Sequence, residues 1–391
     1  MQSILRLAFA ASFVLPLGLF AQTPTSAPPP KLPTAVALQR DTIALAKDVW
    51  PAIVTVRTFV RSDAMAKAAP TPAPTADASG WIANPTHERD YPGFRPHASG
   101  SGFFVAKDEI LTGLQPLRVA PEQAVDLVEV ETVDNQRILC DVVGVEPTLQ
   151  LAVLRLAVLP SYVPPEVRAL PFGDSDALEV GSLVLGAGDP SGPERWMGLG
   201  LLVAKPSRDC YQEMMNATYM QATMVVHPGA FGGPLVGLDG TVVGLLHPLQ
   251  VEGGTTLGSA WALPSKLLVG LYESIRAAGT ERSPWLGFSV MSRTEIAKVH
   301  GLQAFQKMVK PPHGILLENV FQPSPAAAAG LQVGDFLTHF AGVEIHAPVE
   351  FQRQLYLAGV GRTVTLQFFR AGTTFTKDLA IEARPAAAKP R

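Results

Sequence analysis

Cysteine is nearly absent from this sequence: its 391 residues hold only Cys140 and Cys210. So sparse a set excludes a small disulfide-stapled fold, and neither cysteine has a histidine nearby to suggest a zinc finger. In an exported chain the two can bridge, or both can be small buried hydrophobes. Charge is scarce as well, with Asp, Glu, Lys and Arg at 17% and a net charge of -3. That balance leaves no basic field to gather nucleic acid by counterion release, so no nucleic-acid partner is expected. No apolar run after the first residues approaches the roughly 20 that a spanning helix needs. What the sequence does have is apolar residues, 47% of the total, enough to build sizeable cores. Its length fits two domains plus flexible ends.

The opening stretch MQSILRLAFAASFVLPLGLFAQ places one cation, Arg6, before an apolar run from Leu7 to Phe20 and a small residue at Ala21. This reads as a signal peptide over 1–21. The other reading is an uncleaved N-terminal tether, but the run is short and Pro16 interrupts it. The expected location is outside the cytoplasm, in the periplasm for a double-membraned bacterium. Residues 22–44 form a Pro-rich linker and the start of a lead-in helix over about 35–49, and AIVTVRTFV at 52–60 reads as a first strand. Residues 64–98 read as a long surface loop whose Trp81, Tyr91 and Phe94 either meet a partner subunit or cover the domain. From Gly100 to Leu263, short β-rich runs (GSGFFV, VDLVEVET, QRILCDVVGV, LAVLRL, SLVLGA, TVVGLLH) alternate with Gly, Pro and Asp turns, as in a sandwich or barrel. A helix from about Pro264 to Ala278 marks the boundary with a last domain that mixes strands with a helix from Pro348 to Gly359.

Four segments in order carry a family resemblance: GSGFFVAKDEILTGLQPL (100–117), VGVEPTLQLAVLRL (143–156), LPFGDSDALEVGSLVLGAGDPSG (170–192) and HPGAFGGPLVGLDGTVVGL (227–245). Together they resemble the protease domain of the HtrA/DegP-type serine proteases. The fold class implied is mainly β: a chymotrypsin/trypsin-like double β-barrel over 45–280 followed by an α+β PDZ domain over 284–383 and a tail at 384–391. By that resemblance Gln115 stands at the general base, Gln150 at the carboxylate that orients it, and Phe231 at the nucleophile. Triad chemistry needs a hydroxyl, an imidazole and a carboxylate. Glutamine is no base near neutral pH, and phenylalanine has no lone pair to attack with. No catalytic residue is therefore expected, and the chain is expected not to be an enzyme. Gly229, Gly232 and Gly233 remain from the oxyanion loop, either as a working remnant or simply as a tight turn.

The last hundred residues resemble a PDZ domain, most specifically in SPAAAAGLQVGD from Ser324 to Asp335. In such domains a peptide C-terminus adds a strand and a short loop of N–H groups holds its carboxylate. Trp285, Leu286, Gly287 and Phe288 match that loop; Phe351 and Leu355, at i and i+4 of the helix, line a side-chain pocket or belong to the core. The function expected is peptide or unfolded-protein binding as a scaffold, holdase or regulator. The alternatives are an active HtrA-type endopeptidase in envelope quality control and a purely structural assembly protein. The resemblance also implies a homotrimer or a mixed oligomer with active relatives. No cofactor and no metal is expected.

Overall fold

The computed structural model describes residues 33–61, 91–120, 123–147, 149–157, 167–189, 195–205, 219–248, 259–278 and 283–385. The segment expected to be a signal peptide, Trp81, Cys210 and the end of the tail lie outside the described residues. After helix α1 (Pro33–Val49), the first barrel takes strands β1 (Ile53–Arg61), β2 (Phe94–Phe104) and β3 (Glu109–Gly113). A short ribbon, β4 (Arg118–Ala120) with β5 (Gln123–Ala124), precedes β6 (Leu127–Glu131), β7 (Arg137–Glu146) and β8 (Leu151–Leu156). The barrel closes in the order β1-β2-β3-β8-β7-β6. A second barrel follows from β9 (Leu183–Gly188), β10 (Trp196–Ala204), β11 (Met220–Ala222), β12 (Pro234–Gly237), β13 (Val242–His247) and β14 (Ala260–Pro264). It closes in the order β10-β11-β14-β13-β12-β9. This is the double barrel that the four segments lead one to expect. Among the described residues no helix is long and apolar enough to cross a membrane.

Strand alternation explains why the β segments read as continuous apolar runs. In β1 to β3, Val54, Val56, Phe104 and Ile110 fill the first barrel, while their neighbours Ile53, Phe103 and Leu111 face a second cluster shared with the other barrel. Both faces are therefore buried, so both must be apolar. The shared cluster is completed by helix α2 (Ser265–Ala278), whose Leu267, Leu268, Leu271, Tyr272 and Ile275 recur at helical spacing on one face. The fully buried Ser265 anchors that helix: its hydroxyl donates to the Gly173 carbonyl at 2.7 Å and accepts from the Ser175 N–H at 3.1 Å. Replacing Ser265 by Ala leaves two buried backbone groups without this partner. We expect a cost of about 1–2 kcal/mol, read as a lower midpoint in urea unfolding at unchanged slope.

The loop expected over 64–98 ends earlier, because β2 already begins at Phe94. Its register with β1 runs from Ile53 opposite Phe103 to Arg61 opposite Phe94, with a bulge between Thr58 and Phe59. Tyr91 is buried against Phe59 at a ring separation of 4.9 Å and donates to Glu129 at 2.6 Å, so this end of the loop covers the barrel. Cys140 is a free thiol in the barrel core, and burial pushes its pKa up.

The C-terminal domain pairs β15 (Pro284–Trp285) with β22 (Glu382–Ala383). Its main sheet contains β16 (Phe288–Met291), β17 (Ile315–Val320), β18 (Phe336–Phe340), β20 (Thr363–Arg370) and β21 (Thr373–Ala380), with β19 (Val343–Glu344) added to β18. Helices α3 (Arg293–His300) and α4 (Leu302–Lys307) follow β16, α5 (Pro325–Ala328) follows β17, and α6 (Pro348–Ala358) precedes β20. The Gly-Asp turn of the 324–335 segment is locked by Asp335, which takes two bonds from Arg370 at 2.6 and 2.7 Å while Arg370 also reaches the Gly330 carbonyl at 2.9 Å. The domain meets the first barrel at the buried Glu146, which accepts from Ser283 at 2.8 and 2.9 Å and from Tyr356 of α6 at 3.0 Å.

Candidate functional site

Backbone contacts gather the three triad-matched positions at the seam between the barrels. Gln115 is exposed and opens a single 3-10 turn (Gln115–Leu117) just after β3. Its neighbour Leu114 donates its N–H to the Gln150 carbonyl at 2.8 Å. Gln150 adopts a left-handed backbone (φ 55), and its side-chain amide donates to the Pro147 carbonyl at 2.5 Å, so the amide is spent on its own turn. Phe231 is half-buried, and its carbonyl accepts from the Ser101 N–H at 3.0 Å. The next residue, Gly232, comes so close to the end of β3 that a Cβ there would lie 2.6 Å from the Gly113 nitrogen and 2.3 Å from the Ser101 carbonyl oxygen. Gly232 also has φ +89, which favours glycine. A Cβ on Gly233 would sit 2.0 Å from the Ala187 carbonyl oxygen. Both glycines are thus required by backbone crowding at the seam.

The loop before Phe231 folds as a 3-10 turn (Pro228–Ala230), in which the His227 imidazole Nδ1 accepts from the Gly229 N–H at 3.0 Å. The Gly229 carbonyl accepts from the Ser101 hydroxyl at 2.7 Å, and that hydroxyl in turn accepts from the Asp189 N–H at 2.9 Å. Ser101 is fully buried and bridges the two barrels with its hydroxyl already engaged. Sequence reading passed over it because a serine between two glycines looks like turn filler. The Phe231 N–H has no acceptor among the described residues. Of the donors an oxyanion loop would offer, Gly229's is already capped and Phe231's remains.

Three perturbed groups lie in this barrel domain. Burial pushes the Asp189 carboxyl above its usual range, against the opposing pull of Arg195 at 3.8 Å. His247 packs against Tyr219 with ring centroids 4.8 Å apart; burial lowers the imidazole to about 4 and raises the phenol to about 12. A buried imidazole at that value is neutral at pH 7 and is a core residue of β13.

In the C-terminal domain, β16 pairs with β17 on one side and with no strand on the other among the described residues. The residues ahead of it turn sharply: Gly287 has φ +88, and a Cβ there would lie 2.0 Å from the Ser324 Cβ. The Leu286 and Gly287 carbonyls accept from Ala326 and Phe321 at 2.9 and 2.8 Å, while their N–H groups have no acceptor among the described residues. Trp285, Leu286 and Phe288 are buried. Phe351 of α6 stacks on Phe288 at 5.1 Å and meets Phe340 edge-on at 5.7 Å, and Leu355 lies in the same core cluster. Phe351 and Leu355 therefore belong to the domain core.

Against known proteins, the family model for a trypsin-like peptidase domain matches residues 100–245, and that for a PDZ domain matches residues 284–381. Relatives named "probable periplasmic serine endoprotease DegP-like" occur in Marinomonas sp. (strain MWYL1), 29% identical over 292 residues, and in Pseudomonas fulva (strain 12-X), 29% identical over 295. The alignments cover 73% of this chain and 57% and 56% of those proteins, so the chain spans about half the length of the curated relatives it matches. An HtrA-type protease AlgW solved with a decapeptide superposes with a TM-score of 0.63 at 22% identity, covering 87% of this chain and 98% of that one. A serine endoprotease from Yersinia pestis gives 0.56 at 19%, covering 87% and 97%. At such identities the structural likeness establishes the fold. The expectation that the chain is not an enzyme is overturned by its relatives, which are named serine endoproteases across 73% of its length. Three motif positions do not carry it, because a catalytic constellation is defined by geometry and roles and not by place in the sequence.

Proposed function

We propose that this chain, a trypsin-like peptidase domain followed by one PDZ domain and related to the DegP-like serine endoproteases, serves protein quality control in the cell envelope. Its PDZ domain captures the C-terminal ends of peptides or unfolded segments beside the double barrel. The observation that supports this most is the unpaired edge of β16 next to the Leu286 and Gly287 N–H groups. An extended peptide there gains main-chain hydrogen bonds from β16, and its carboxylate gains two charge-assisted bonds from the loop. Buried Phe288, Phe351 and Leu355 favour an apolar last side chain. The periplasmic names of the relatives support export, with residues 1–21 as signal peptide, 22–44 as linker and lead-in helix, 45–280 as the barrel domain and 284–383 as the PDZ domain. Assembly as a homotrimer or with active relatives belongs to the same reading.

Gln115, Gln150 and Phe231 are proposed as the triad positions; four motifs in family order and the backbone contacts at the seam support that placement. A hydrolytic step on this chain then has to draw its nucleophile and base from side chains other than these three.

The test of peptide capture is fluorescence anisotropy of the mature chain with labelled peptides ending in an apolar residue. Amidating the C-terminus removes the charged acceptor, and we expect at least a tenfold weaker Kd, since losing a charge-assisted bond costs about 1.5–3 kcal/mol. Equal affinity for free and amidated peptides would remove the loop from the reading.

A further inference from the structure

The PDZ domain carries a second constellation, built from side chains that the reading above does not use. His313 stands just before β17, and β17 pairs with β18 through Ile315 opposite Leu337. His339 of β18 and Glu344 of β19 are a directly opposed pair in the hairpin that joins those strands. One ligand atom from each of His313, His339 and Glu344 lies within 4.8 Å of the others. His346, just past β19, brings its ring to 5.0 Å from that of His313 and its Nε2 to 3.3 Å from the Glu344 carboxylate. His313 and His339 rings meet edge-on at 5.4 Å.

Three imidazoles so close make poor packing partners unless something joins them. The buried His313 Nε2 has no hydrogen-bond partner among the described residues, and such an orphan costs about 1–3 kcal/mol. The His339 tautomer follows from its neighbour. The Thr338 hydroxyl donates to the Gln367 carbonyl at 3.1 Å, so towards His339 Nδ1, at 3.2 Å, it acts as acceptor. Nδ1 therefore carries the proton, and Nε2 presents a lone pair. A polar partner on the far ring nitrogen is what orients histidines that ligate metals.

We propose that His313, His339, His346 and Glu344 form a binding site for a borderline divalent ion of the zinc class. Three nitrogens and one carboxylate oxygen match the donors and the tetrahedral count of such an ion, whereas calcium and magnesium prefer oxygen cages. With bonds of about 2.1 Å, tetrahedral donors stand about 3.4 Å apart. The remaining gap closes by side-chain rotation, since Glu344 and His346 are about half exposed. The strand positions are meanwhile fixed by the sheet, and by Ile345, which is buried and donates its N–H to the Thr338 carbonyl at 2.8 Å. Four protein ligands leave no open position, so the ion's role is to tie the 311–314 loop to the β18–β19 hairpin. Sequence reading expected no metal because the histidines and the glutamate, at 313, 339, 344 and 346, follow no ligand-spacing motif; only the hairpin register assembles them.

The test is calorimetric titration of the untagged mature chain with zinc chloride, backed by cobalt(II) substitution. We expect one ion per chain and the visible bands of a four-coordinate cobalt site. His313→Ala and His339→Ala should each weaken zinc at least about 100-fold and Glu344→Gln about tenfold, while the exposed turn residue His227→Ala should leave binding unchanged. Because Glu344 is on the surface, its variant keeps the test valid should a histidine variant fail to fold. No zinc uptake by the native chain, or unchanged affinity in Glu344→Gln together with a folded His339→Ala, overturns the site.

Discussion

On the proposed triad positions, the triple variant Phe231→Ser, Gln115→His, Gln150→Asp is expected to hydrolyse casein through position 231, about 10³-fold faster than the same variant carrying Ala at that position. The size follows from two terms of opposite sense. Loss of a complete triad costs on the order of 10⁶ in turnover, and the three positions are already gathered at the seam by the Leu114–Gln150 bond and the Gly113–Gly232 contact. The oxyanion loop, however, spends the Gly229 N–H on His227, and a missing oxyanion donor costs about 10²–10³. The gain should therefore fall well short of full restoration. Adding His227→Ala, which removes the side-chain acceptor from the Gly229 N–H, is expected to recover part of the difference. A fluorophosphonate probe should label the triple variant at position 231. No label at position 231 in a folded triple variant would sink the assignment of Gln115, Gln150 and Phe231, whereas native hydrolysis with the probe on another residue would locate the working nucleophile there.

The architecture was legible where burial and turn chemistry agree. Strands such as β2, β7 and β8 announced themselves through β-branched and aromatic runs between Gly and Asp turns, and α2 through its Leu spacing. Strands β10 and β21 were silent for opposite reasons. In β10, Leu199, Leu201 and Val203 face outward while Leu202 is fully buried, so both faces are apolar and no period of two appears. In β21, TTFTKDLA is exposed along nearly all its length; only its unbroken register with β20 makes it a strand. Linear motifs located the seam but not its wiring. The link from Ser101 to Gly229 and Asp189 joins residues 128 and 88 positions apart, and the His313 cluster depends on hairpin register. Contacts of that kind have no signature in local composition.

Loss of Glu109 should weaken the barrel domain, and the titration of the same residue should shape the domain's acid limit. Its side chain is 3% exposed at the start of β3. It accepts from Tyr272 of α2 and from Arg155 at 2.7 Å, and it forms an ion pair with Arg276 at 3.0 Å, which clamps the first barrel to the helix. Breaking a buried pair by removing one partner costs about 3–5 kcal/mol. The side chains of Arg155 and Arg276 are 45% and 52% exposed and stay hydrated, so Glu109→Ala should cost about 2–3 kcal/mol, or roughly 5–10 °C in Tm. Burial pulls the Glu109 pKa up, yet the hydrogen bonds from Tyr272 and Arg155 and the charges of the two arginines prevail and hold it below the ordinary glutamate value. A carboxyl depressed on folding stabilises fully above its unfolded pKa of about 4.3 and loses that contribution as pH falls through the folded value. Native stability should accordingly decline on acidification below about pH 4, and Glu109→Gln should show a flatter decline over that window. Parallel acid profiles for the two proteins would mean that the Glu109 charge adds nothing beyond its hydrogen bonds. The clamp would then rest on shape and on the Tyr272 hydroxyl.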